Sequence, residues 1–192
     1  MAGSLPNYSK IDILRCFLRL DKNTSRQHLA KELELGEGTI RTILNALKSA
    51  RLTDSAKSGH LISKEGAKLQ ATIYRHISAP KKLEIRSIYP EYKKIGVVIK
   101  NSRKLSELYK LRDIAVKNNS EGAMILKFDK KLYAPESGYN GDFSEFQKHF
   151  EFEEGDVLII AFAEKIKNAE TGALAIAAEL NSVLKKILEN FE

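Results

Sequence analysis

The sequence predicts an α+β chain in two domains: a mostly helical N-terminal part ending in a small hairpin, then a C-terminal α/β sandwich with a small sheet and two main helices. Three observations carry this. Apolar residues recur at helical spacing three times before residue 50, short β-branched runs begin only after that, and the charge is unevenly spread. Residues 1–78 hold 13 Lys and Arg against 7 Asp and Glu, whereas residues 79–192 hold 19 against 18. Nearly all of the net charge of +7 therefore sits in the first part, which suits a polyanionic partner.

In order along the chain, Ile11, Ile13, Leu14, Phe17, Leu18 and Leu20 mark a first helix over 9–20, with Lys10, Arg15 and Arg19 on its other faces. Thr24 and Gln27 have capping-box spacing and open a second helix, whose apolar residues Leu29, Ala30 and Leu33 share a face. Leu35 and Gly36 form the turn after it. A third helix spans 37–50, with Ile40, Ile43, Leu44 and Leu47 in one stripe. Its opposite face presents Gly38, Thr42, Asn45 and Ser49, with Thr39 near the start and Arg41 and Lys48 at the flanks. Short hydrogen-bonding side chains between cations suit a DNA major groove, where base edges lie between phosphates. Residues 52–56 and 60–62 then pair as a hairpin around Lys57, Ser58 and Gly59, and Ser63 caps a closing helix through Leu69, Ile73 and Ile77.

The stretch from Ser25 to Leu33, followed by Leu35, Gly36, Glu37, Gly38, Thr39, Ile40 and Arg41, then by Leu44, Leu47, Leu52 and the run from Gly59 to Gly66, resembles the winged helix-turn-helix of prokaryotic transcriptional regulators. The resemblance covers about residues 8–77. It implies a recognition helix over 37–50, reading double-stranded DNA through Thr39, Arg41, Thr42, Asn45 and Lys48. It also implies phosphate contacts from Ser25, Arg26 and Gln27, and from Lys57, Ser58 and His60 on the wing.

The polar, proline-containing stretch 78–82 sets a boundary, giving domains 1–78 and 79–192. Beyond it, 95–99, 124–128, 132–134 and 156–163 read as strands, Leu105 to Asn118 as a helix, and 168–191 as one long helix. The segment 135–155, with Tyr139 and several acids, admits either a lid or a solvated loop. The layout resembles archaeal one-component regulators, which join a winged helix to an α+β domain. That implies a small-molecule effector on the second domain and a homodimer.

Chemistry is sparse. The histidines His28, His60, His76 and His149 lie far apart without metal-site spacing, Gly138 and Gly141 form no phosphate loop, and Asp129, Asp142 and Asp156 form no paired motif. The expectation is no catalytic residue, no metal and no cofactor: a regulator, not an enzyme. Cys16 reads as a small core residue. Residues 1–7 lack the pattern of a secretion signal and no run reaches the roughly 18 apolar residues of a membrane span, so a cytoplasmic protein is expected. Two rival readings remain at this level, a metabolic enzyme fused to an autoregulatory winged helix and a winged helix used for protein contacts.

Overall fold

The structure, a computed structural model, describes residues 7–21, 23–56, 59–102, 105, 107–135 and 141–191. It is α+β and divides into two compact units, residues 1–72 with 186–192 and residues 73–185.

The first unit begins with α1 (Lys10–Leu18), α2 (Arg26–Leu33) and α3 (Glu37–Ser49). A hairpin follows, β1 (Thr53–Ala56) and β2 (Gly59–Ile62), and then α4 (Lys64–Tyr74). The predicted stripes meet in one core: Ile13, Leu14, Phe17, Leu29, Leu33, Ile40, Ile43, Leu44 and Leu47 are all buried. α4 closes on α1, where the Gln70 Nε2 amide donates to the carbonyls of Phe17 (2.6 Å) and Leu20 (3.1 Å). The end of the chain also belongs here. Phe191 packs edge-on to Phe17 at 6.1 Å, and Lys10 Nζ donates to the Glu189 carbonyl. Burial pushes the Cys16 thiol up to about 12, against the weaker opposing pull of Arg19 and Arg15, so the thiolate that reacts is scarcely populated.

Three local readings change. Arg15 does not face solvent: it is fully buried, donating to Asp12 Oδ1 at 3.0 Å and to the Leu33 carbonyl at 3.2 Å. Asp12 also completes a capping box with Ser9, so one carboxylate both caps α1 and neutralises the guanidinium. Thr24 does not cap α2, because its N–H and C=O pair with His60 of the hairpin. Ser25 takes the role and accepts from the His28 N–H at 3.1 Å. The left-handed residue of the α2–α3 turn is Glu34 (φ 55°), while Gly36 is extended at φ −65° as the N-cap of α3.

The second unit holds a five-stranded antiparallel sheet. Its strands are β3 (Lys81–Leu83), β4 (Lys93–Ile99), β5 (Gly122–Asp129), β6 (Lys131–Tyr133) and β7 (Val157–Ala163), in the order β3-β4-β7-β5-β6. β4 and β7, at the centre, are apolar on both faces, as a doubly covered strand requires. One face carries α5 (Leu108–Lys117) and α7 (Ile166–Leu180), which pack on each other through the small residues Ala115 and Gly172.

The other face, with Val98, Leu126, Leu158 and Ile160, is covered by residues 141–152, including the short α6 (Ser144–Gln147). Phe143 and Phe146 are buried there. The described part of 135–155 is thus a fixed apolar cover, not a solvated loop; Gly138 and Tyr139 lie outside the described residues. Two further differences appear. The polar stretch taken as a boundary includes β3, whose Lys81 and Lys82 are exposed while only Leu83 points inward, the pattern of a charged sheet edge. The Ser78 N–H donates to the Val98 carbonyl, so 78–82 is tied to the sheet and the units divide at 72/73 instead. The expected long helix breaks at Asn181, which turns extended and accepts from the N–H groups of Val183 and Leu184, capping α8 (Ser182–Glu189).

Candidate nucleic-acid interface

α2, α3 and the β1–β2 hairpin enclose a cleft of about 570 Å³ in the first unit. The Ser25 cap places Arg26 and Gln27 on the first turn of α2. The stripe that buries Ile40, Ile43, Leu44 and Leu47 leaves Arg41 and Asn45 exposed one turn apart on α3, as the helical period demands. Gly59 lets the hairpin return close to the chain before α2. At φ 149°, a Cβ there would lie 2.6 Å from Asn23 Oδ1 and 2.9 Å from the Thr24 carbonyl oxygen. That contact fixes the Thr24–His60 pairing and so the position of His60 in the cleft wall.

Of the residues predicted from sequence, Ser25, Arg26, Gln27, Arg41, Asn45 and His60 line this one cleft. Thr39, Thr42 and Lys48 do not. Thr39 is half-buried, and the Thr42 hydroxyl donates to the Gly38 carbonyl of its own helix at 3.1 Å. Lys48 Nζ instead reaches the wing and donates to Ser55 Oγ at 3.3 Å. Lys57 and Ser58 lie outside the described residues. Glu37, Leu44, Ser55, Ala56 and Gly59 complete the lining. Ser55 has no signal of its own in the sequence; in the structure β1 turns Asp54, Ser55 and Ala56 to solvent after buried Thr53.

The electrostatics are set by cations. His60 is held below its ordinary value, first by burial and then by Arg26 and Lys48. Its Nδ1 is buried with no hydrogen-bond partner among the described residues, so the imidazole stays neutral in a positive field. An anion entering the cleft would meet Arg26, Arg41 and the neutral His60 ring, with the Glu37 carboxylate as the one opposing charge among the described lining residues.

A second cleft of about 570 Å³ lies in the second unit, between α5 and the edge of the sheet. Its walls are largely apolar. Tyr89 stacks on Phe162 at 4.3 Å and stands at φ 48°; Lys94, itself buried, holds the turn by donating to the Tyr89 and Tyr92 carbonyls. Burial lowers the Lys94 pKa against the raising effect of Glu91 and Glu84. Among the described residues there is no group of three or more His, Cys, Asp or Glu able to hold a metal, and no helix long and apolar enough to cross a membrane.

Comparison with known proteins gives the same two-part division. Residues 11–68 match the family described as PH0730-like, N-terminal domain, and residues 90–180 match a family described as a domain of unknown function, DUF4443. The solved structure of hypothetical protein PH0730 from Pyrococcus horikoshii OT3 is similar throughout: 28% identical, with a TM-score of 0.77, covering 97% of this chain and 96% of that one. No curated protein matches.

Proposed function

We propose that this chain is a DNA-binding transcriptional regulator in which α3 enters the major groove and α2 and the wing grip the flanking phosphates. The observation that carries the reading is convergence. Six residues chosen from the sequence for DNA contact, on three separate elements, line one cationic cleft. Arg26 and Gln27 at the start of α2 suit phosphate, with the Ser25 hydroxyl beside them; Arg41 and Asn45 suit base edges, arginine pairing with guanine and asparagine with adenine. Binding, not catalysis, is the activity proposed.

The working form is a homodimer in the cytoplasm, with each α3 reading one half-site. A small-molecule effector taken up by the second unit would change DNA affinity only through unequal binding to two conformations. The apolar cleft of that unit supports an effector role, being concave and bounded by a few charged groups.

Binding to a genomic DNA-fragment library at two salt concentrations tests this. Selective, salt-sensitive binding is expected, each neutralised phosphate contributing about 0.9 to the slope of log affinity against log salt. Salt-insensitive or absent DNA binding would turn the reading toward a protein-contact module.

A further inference from the structure

β5 is an unfinished strand. It pairs with β7 from Gly122 to Lys127, but β6 covers its other side only over Lys127–Asp129. The Phe128 N–H donates to the Asp156 carbonyl, which sets the alternation of the ladder: even-numbered residues of β5 turn their N–H and C=O groups to β7, odd-numbered ones away from it. Lys127 and Asp129 meet β6 on that outer side. Ala123 and Ile125 meet nothing there among the described residues, yet they are only 6% and 2% exposed. Backbone groups so placed ordinarily have partners.

These two residues border the second cleft. The side chains around it are also unusual. Val116 of α5 is 54% exposed and Tyr89 is 44% exposed, one on each side of the strand edge. Gly122 permits this wall, because a Cβ there would come within 2.7 Å of the Phe162 ring that carries Tyr89. Arg112, Asp113 and Glu121 supply charges of both signs at the rim.

We propose that this edge binds a short extended peptide segment, which adds a strand by pairing with Ala123 and Ile125. Two donors and two acceptors alternating at strand spacing are the complement of a peptide backbone, while alternate side chains of the ligand fall toward Val116 on one side and Tyr89 on the other. The open stretch ends where β6 begins, so it accepts a segment of roughly five residues. A second copy of β5 does not fit, since setting Ala123 opposite Ile125 would carry that strand into the place Tyr133 holds beside Lys127. This inference rests on reading the second unit as the ligand-binding part, and not on the DNA reading.

The test is selection of displayed random pentapeptides on the full chain, with Ala123→Pro as the counter-target. Proline removes an outward N–H and leaves the bonds of Met124 and Leu126 to β7 intact. Peptides enriched on the wild type are expected to bind Ala123→Pro at least tenfold more weakly. In the free protein the Ala123 and Ile125 amides are expected to exchange freely while Met124 is protected, and bound peptide should slow exchange at both. N-methylation of the peptide amides that face β5 should abolish binding, and methylation of the others should spare it, a readout independent of whether the variant folds. No enrichment over the counter-target, indifference to the methylation pattern, or protected Ala123 and Ile125 amides in the free protein would each overturn the proposal. DNA affinity measured with and without a selected peptide separates the two readings: a peptide that binds without changing it leaves the edge site standing and removes its regulatory role.

Discussion

The two units each hold a cleft of about 570 Å³, and the two are built on opposite principles. In the first, the groups offered to a ligand are exposed side chains, Arg26, Arg41 and Asn45, on helices whose other faces are locked into the core. In the second they are backbone groups of β5 between apolar walls. Side-chain chemistry is written in the sequence at a readable period, whereas an open strand edge depends on which strand fails to arrive. Six residues of the first cleft, Ser25, Arg26, Gln27, Arg41, Asn45 and His60, are therefore legible in the sequence, whereas the second cleft is not.

Each unit buries a charged pair, Arg15 with Asp12 in the first and Asp156 with the partly exposed Lys100 in the second, and the second also seals an apolar cluster under Phe143 and Phe146. Arg15→Ala is expected to cost about 3–5 kcal/mol, because the Asp12 carboxylate and the Leu33 carbonyl lose their buried partner. Urea unfolding followed by a probe in the first unit measures it; a loss under about 1 kcal/mol would mean the site takes up water freely. Phe146→Ala should cost a similar or slightly smaller amount, about 3–4 kcal/mol, read from the second unit. A negligible change there would restore the solvated-loop reading of 141–152.

The smallest effect concerns pH. In the unfolded chain His60 takes a proton near 6.5, and in the folded protein only at lower pH, so below about 6.5 the unfolded state binds more protons. Stability of the free protein should fall as pH drops through that window, and His60→Asn should flatten the trend. DNA phosphate beside Arg26 would raise the His60 pKa, so DNA affinity should rise over the same window by a few fold at most. Parallel trends in stability and affinity would remove His60 from the interface.

Much of the fold was legible. The helical stripes of α1 to α3, the hairpin with Gly59 at its turn, the Ser63 cap, which accepts from the Gly66 N–H at 2.9 Å, and the apolar runs of β4, β5 and β7 are all where periodicity put them. What was hidden depends on distant partners. Lys81 and Lys82 look like linker until β4 pairs with them. Asn181 looks like one more helical residue until its side chain caps the next helix. Arg15 looks like solvated charge until Asp12 and Leu33 enclose it. At the candidate interface Arg41 and Asn45 of α3 line the cleft, whereas Thr42 and Lys48 of the same helix do not. Thr42 fell away because a threonine on a helix can satisfy itself on the carbonyl four residues back.

The most direct test is fluorescence-anisotropy binding to selected genomic DNA fragments by the wild type and by Arg41→Ala combined with Asn45→Ala. Selective binding by the wild type that drops to the level of unrelated DNA in the double variant, a loss of about 1–3 kcal/mol per base contact, is the result expected of α3 as the reader. Equal selectivity in both proteins would contradict it.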